Sequence, residues 1–324
     1  MAAAALFSTG GAAIKACTFD GPQVASLRSG IAAAALLLAL PAARRGWSRS
    51  TLAIGAAYAA TMILFVWSNK LTTAASSIFL QSTTPLFILV LGPWLLREPV
   101  RRADLGFTTA MMTALLLMFA GTEPAQQSAP NPALGNLLAL MSGVTYAVTV
   151  VGFRWVARKD SEGAPGSSLA SVVLAGNVMA FVACLIPGWP IPVPGLVDAA
   201  VLVYLGVFQI ALAYVLLTRG LHGVTALEAS LLLLVEPMLN PLWAWAVQGE
   251  VPGAWTLAAG AIILGATAWR TLRGAEPTPA PEPDRTWPVP SSGPSSAGGS
   301  PAPAALFETA DPAPGADLPE RRTR

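Results

Sequence analysis

Pro85 and Glu98 recur as Pro237 and Glu250, displaced by the same 152 positions that separate Ala74 from Ala226 and Leu105 from Leu257. Each Pro and Glu pair closes a long apolar run. A period near half the chain length marks a duplicated unit, so the two halves must adopt the same set of elements. In an apolar chain this points to a transporter built from two copies of one membrane module.

Composition supplies the membrane. Of 324 residues 54% are hydrophobic and 11% charged, with a mean hydropathy of +0.59. That charged fraction is less than half the roughly 25% of a soluble domain, too little to cover a surface in water. A net charge of +2 without a basic stripe excludes a nucleic-acid partner. Cys17 and Cys184 lie in apolar segments without ligand-like spacing and read as small apolar packers, so no metal or other cofactor is expected. The opening MAAAALFSTGGAAIKAC lacks a basic n-region and reads as a short first span, with an upstream start left open.

A helical span needs about 20 largely apolar residues. On that basis ten spans are expected, roughly 2 to 17, 22 to 42, 51 to 68, 73 to 96, 104 to 121, 133 to 155, 168 to 187, 198 to 218, 224 to 248 and 253 to 271. Basic clusters follow the even-numbered spans two, four, six and ten (Arg44, Arg45 and Arg49; Arg97, Arg101 and Arg102; Arg154, Arg158 and Lys159; Arg270 and Arg273). The opposite loops hold almost only Lys70, so both termini are expected in the cytoplasm of a multi-pass plasma-membrane protein.

Five spans per copy is an odd number, so the second copy enters the membrane inverted. The expected fold is all-α, ten transmembrane helices as two inverted five-helix repeats with a site near the midplane between them. The repeats occupy 1–121 and 133–273, joined by an external linker, 122–132. Residues 274–324, rich in Pro, Ser and Gly, read as a disordered cytoplasmic tail.

Ionisable residues at the bilayer centre are costly and mark candidate sites. Glu236 lies mid-span before Pro237, with Asn240 one turn on along the same face. Pro237 is expected to kink the span and free a carbonyl near residue 233. Glu236 then binds an ammonium, a hydroxyl or a proton, or else is a packing residue, protonated or paired. The first copy repeats the kink as Thr84-Pro85 but not the charge, and Gln81 one turn earlier faces the same space. Ser82, Thr83 and Thr84 are expected to bond back to their own helix. Arg28, the one deep arginine, has three readings: it holds a substrate carboxylate, pairs with Glu236, or snorkels outward. Lys15 is expected to snorkel. Tyr146, Asn177, Gln209 and Tyr214 are candidates for lining a cavity or bridging helices. Glu98 and Glu250 read as helix-end fixtures that accept hydrogen bonds from the start of the next helix. No HExxH, P-loop or GxSxG motif occurs, so neither an enzyme nor an ATP-driven pump is expected.

Two copies of a Pro followed thirteen residues later by Glu, carried by Pro85 with LLRE at Glu98 and by VEP at 235 to 237 with QGE at Glu250, resemble the EamA domain of the drug/metabolite transporter superfamily. Arg28 in LRSGIAAAALLLAL resembles the arginine that family members carry early in their second helix. Gly260 and Gly265 match the glycines of the family's last helix, where the first copy has Thr108 and Thr113. The resemblance covers about residues 1 to 273. It implies alternating access by a secondary active transporter, with spans one to four facing spans six to nine and spans five and ten outside. A small polar metabolite, amino-acid-like and exported, is the expected substrate; Glu236 would take its ammonium or a coupling proton, Arg28 its carboxylate, and Gln81, Thr84, Tyr146 and Asn240 would line the site. The alternatives are an exchanger of nucleotide sugars or phosphorylated metabolites, which wants two deep basic groups, and a non-transporting membrane scaffold. Partners are then the lipid bilayer and a small molecule, with the assembly a monomer or a homodimer.

Overall fold

Polar side chains cap the starts of the second, third and fourth spans. In a computed structural model that describes residues 1–95, 104–122, 124–161, 169–220 and 232–273, the described residues form helices and no strand. Glu98, Glu228, His222 and the segment 274–324 lie outside the described residues. The first span is two seven-residue helices, α1 (Ala2–Ser8) and α2 (Gly10–Ala16), divided at Thr9. Next comes α3 (Gly21–Ala39), opened by a capping box in which Asp20 accepts from the Gln23 amide at 3.0 Å and Gln23 accepts from the Asp20 amide at 3.2 Å. Ser48 caps α4 (Arg49–Leu71) and Thr73 caps α5 (Ala74–Gln81) by the same logic.

After a turn at Ser82 and Thr83 the fourth span resumes as α6 (Thr84–Leu95), followed by α7 (Asp104–Ala120). The second half comprises α8 (Pro132–Ser161), α9 (Leu169–Leu185), α10 (Leu196–Val203), a π-helical stretch Tyr204–Leu212, α11 (Ala213–Gly220), α12 (Val235–Gln248) and α13 (Ala254–Arg273). Among the described residues, five segments are long and apolar enough to cross a bilayer alone: Gly21–Ala39, Arg49–Leu71, Ala74–Leu91, Pro132–Val156 and Leu196–Leu217. α7 and α9 are shorter apolar helices.

Large apolar side chains are exposed along these helices, among them Leu116, Leu137, Val182, Leu242, Trp245 and Leu257. A helix apolar on its outward face suits lipid. Inside, the halves interleave: α4 packs on α8 and α9, α3 on α9 and the π stretch, α1 and α2 on α12, and α5 and α6 on α8. The α4–α9 approach is close because glycine faces glycine; a Cβ on Gly176 would stand 2.8 Å from the Gly55 carbonyl and 2.4 Å from the Tyr58 ring. α7 pairs with α13, where Arg270 meets Asp104 at 3.1 Å and covers the Phe107 ring. Gly260 sits where its added Cβ would be 2.4 Å from Phe79 of α5, whereas Gly265 has open space.

Candidate functional site

Both repeated prolines lie in the opening turn of a helix. Pro85 is the second residue of α6 and Pro237 the third of α12. Proline fits there because the first amides of a helix have no intrahelical acceptor to lose. The expected kinks are therefore interruptions in which the span stops and restarts. At the first, Ser82, Thr83 and Thr84 all donate back to the helix behind them, to Ile78, Leu80 and Gln81 carbonyls at 2.7, 2.6 and 2.6 Å. The Thr84 hydroxyl also reaches the Gly143 carbonyl at 3.1 Å, so its proton is committed. Gln81 is buried and donates through Nε2 to Ser142 Oγ at 2.8 Å. Tyr146 follows Ser142 by one turn on the same face of α8.

Glu236 occupies the first turn of α12, where the helix dipole favours a carboxylate. It is partly exposed, as are Tyr146 and Tyr214, and lies within electrostatic range of both phenols. Rings connect this wall across the bundle. Phe7 meets Tyr214 edge-on at 5.3 Å, Tyr214 meets Tyr58 at 5.8 Å, and Tyr58 stacks on Phe153 at 6.3 Å. Such offset and edge contacts are the favoured aromatic geometries. They come from α1, α11, α4 and α8, two from each half.

Arg28, 1% exposed, lies within electrostatic range of Tyr58 and Tyr214. It does not snorkel, and it does not pair with Glu236. Its one hydrogen bond runs from Nη2 to the thioether of Met62 at 3.4 Å, while Nε and Nη1 have no acceptor. Ser29 Oγ is likewise buried and unpartnered, while the Tyr58 hydroxyl lies within side-chain hydrogen-bonding reach of Tyr214 and Asn177. Met62 and Tyr58 belong to an apolar cluster with Leu36, Val173, Leu174 and Ala211. A buried guanidinium with open donors in apolar surroundings is costly unless an anion completes it. Of the three sequence readings of Arg28, the snorkelling and the Glu236 pair are set aside by its burial and its contacts.

Asn240 is fully buried, and neither atom of its amide has a partner. It presses on the first span: a Cβ on Gly11 would stand 2.7 Å from Asn240 Oδ1, and one on Gly10 would stand 2.8 Å from Gln209 Nε2. Thr9, at the break, shares a 2.8 Å hydrogen bond with Tyr204 at the start of the π stretch. Thus Gln81, Thr84 and Tyr146 gather where α5 and α6 meet α8. Asn240 and Gln209 gather at the glycine pair, and Arg28 lies with Met62 near Tyr58 and Tyr214.

Two expectations are corrected. Lys15 does not snorkel: its Nζ lies 2.7 Å from Glu250 Oε1, with side chains only 5% and 3% exposed. Glu250 does not cap the helix that follows it. Its other oxygen accepts from the Ala74 amide at 3.0 Å, at the start of α5 in the opposite half. Sequence reasoning passed over Tyr58 and Ser29. The signal for Tyr58 was present, since the chain has only four tyrosines and none lies at the end of an expected span, where an interfacial anchor would sit.

An apolar helical bundle with exposed apolar faces and helices long enough to cross a bilayer is that of a multi-pass membrane protein. The chain belongs to the EamA-like transporter family, whose model matches residues 1–120 and 133–271. A solved structure described only as "Crystal structure of protein" shares the fold, with a TM-score of 0.56 and 22% identity over 85% of this chain and 96% of that one. No curated protein sequence matches the chain.

Proposed function

We propose that the chain is a secondary active transporter that exports a small, amino-acid-like carboxylate across the plasma membrane by alternating access between two inverted five-helix repeats, with both termini cytoplasmic. The observation that carries this reading is Arg28, a buried guanidinium whose Nε and Nη1 await acceptors. A substrate carboxylate that reached these two nitrogens would supply both. Charge-assisted bonds of this kind are short and strong.

Glu236 serves the other task. Arg28 is seven residues from the start of α3 and Glu236 twelve from the end of α12, depths of about 10 and 18 Å from the same end of the bundle at 1.5 Å per residue. That offset favours a division of labour in which Arg28 reads the carboxylate and Glu236 takes the coupling proton or the far, cationic end of an extended substrate. Gln81, Tyr146 and Asn240 line the path between, and Thr84 fixes the break in the fourth span. A phosphorylated substrate would want a second deep cation; Lys15 and Lys70 are instead engaged at the bundle end by Glu250 and the Cys17 carbonyl.

The test is counterflow of a panel of labelled amino and carboxylic acids in proteoliposomes, with Glu236→Gln and Arg28→Ala at matched reconstitution. Loss of net proton-driven flux with retained exchange in Glu236→Gln, and loss of both in Arg28→Ala, is the expected pattern. Parental rates in both variants refute the assignment, and a panel in which nothing moves favours a scaffold.

A further inference from the structure

The ion pair of Lys15 with Glu250 stands about 20 Å along α12 from Glu236, fourteen residues at 1.5 Å each, and takes no part in the site above. Its construction is specific. Gly249, in the left-handed region at φ 68°, ends α12 by donating to the Trp245 carbonyl at 2.9 Å, and this turn aims the next residue, Glu250, across the bundle. One oxygen of Glu250 meets Lys15 in the last turn of α2, and the other accepts from Ala74 at the start of α5. Lys15 also donates to the Ser128 carbonyl in the segment joining the halves. One carboxylate therefore holds together the first span, the fourth span and the end of α12.

The neighbouring ties converge on the same short stretch of chain. Gln248 donates to the Ala12 carbonyl at 2.7 Å, Lys70 to the Cys17 carbonyl at 2.6 Å, and Asp198 accepts from both the amide and the hydroxyl of Thr18 at 2.8 and 2.7 Å. Residues 12 to 18 are thus fastened to α4, α10 and α12 at one end of the bundle. Toward its other end the first span is interrupted at Thr9, beside the glycine pair, which gives it a place to bend. Breaking a buried pair leaves an uncompensated charge. Opening the pair therefore requires that both charges be hydrated or otherwise answered.

We infer that Lys15 and Glu250 are a gating pair: their contact pins the first span across the central space and closes the transporter toward this end of the bundle, and its release opens that end. The inference rests on the transporter reading but not on the roles given to Arg28 and Glu236.

The test measures conformation without substrate. In the full chain with Cys17→Ala and Cys184→Ala, spin labels are placed at the exposed positions Ala16→Cys and Val251→Cys, and their separation is read by pulsed dipolar spectroscopy in lipid nanodiscs. The parent should give one short distance. Lys15→Met and Glu250→Gln should each add a longer distance, raising the open population about tenfold. Glu250→Gln is chosen because its amide oxygen still accepts from Ala74, so the charge is lost while the α5 cap is kept. Lys15→Arg should restore the single short distance. Unchanged distances in both variants overturn the inference. A Lys15→Met chain that no longer folds while Lys15→Arg does would assign the pair to stability, which overturns it as well. Failure of Arg28 or Glu236 to matter for flux would leave these distances unmoved, so the two readings fail separately.

Discussion

Arg28→Met separates a binding arginine from a structural one. In the structure the guanidinium has a single weak hydrogen bond, to the Met62 thioether at 3.4 Å, and two buried nitrogens without acceptors. An unsatisfied buried donor costs about 1–3 kcal/mol, and replacing buried charge by apolar groups of similar volume is neutral or stabilising by about 1–4 kcal/mol. Methionine keeps an unbranched apolar stem and adapts to irregular gaps beside Met62 and Leu36. The substitution should therefore raise stability by about 2 kcal/mol. For a domain of this size that is a rise of roughly 4 °C in Tm. Transport should at the same time fall at least tenfold. Thermal unfolding in detergent with no substrate, run beside proteoliposome flux, reads both. A Tm that drops by several degrees would mean that Arg28 clamps the helices, and the binding argument would be refuted even if flux were lost.

Other perturbations follow from the close contacts. Gly249→Ala forces a Cβ into the left-handed region at a cost of about 1–2 kcal/mol; Tm should fall by a few degrees, and Gly249→Asn, which tolerates that conformation, should fall less. Gly176→Ala places its Cβ 2.4 Å from the Tyr58 ring and 2.8 Å from the Gly55 carbonyl. Backbone cannot give way cheaply, so a loss of about 1–3 kcal/mol is expected, and an unchanged Tm would show that the helices can part. Gly11→Val should drive Asn240 off the first span and lower both Tm and flux. Combining it with Asn240→Ala should recover part of the Tm but not the flux.

The helices were legible because their causes are local. Asp20 with Gln23, Ser48 and Thr73 are start signals that act within one turn, and the apolar runs behind them are long enough to be counted. The repeated Pro and Glu spacing was legible for the same reason. The kink expected at Pro237 became a restart after a turn at Leu234, because a proline reports only that an amide is missing and fits the first turn of a helix as well as a kink. The partners were not legible at all. Lys15 and Glu250 are more than two hundred positions apart, and a lysine near a span end snorkels or pairs according to which helix end lies opposite.

The sequence by itself determined that this is an all-helical, multi-pass, duplicated membrane protein of a transporter family, since apolar length, scarcity of charge and an internal period are properties of the chain read in order. Only the tertiary structure decided that Arg28 has no carboxylate partner among the described residues, that Tyr58 and Tyr214 stand near it, and that Glu250 reaches across to Lys15 and Ala74. A residue's type fixes the charge it carries. Whether that charge is answered depends on helices brought together from opposite halves of the chain, and such distances are set by packing.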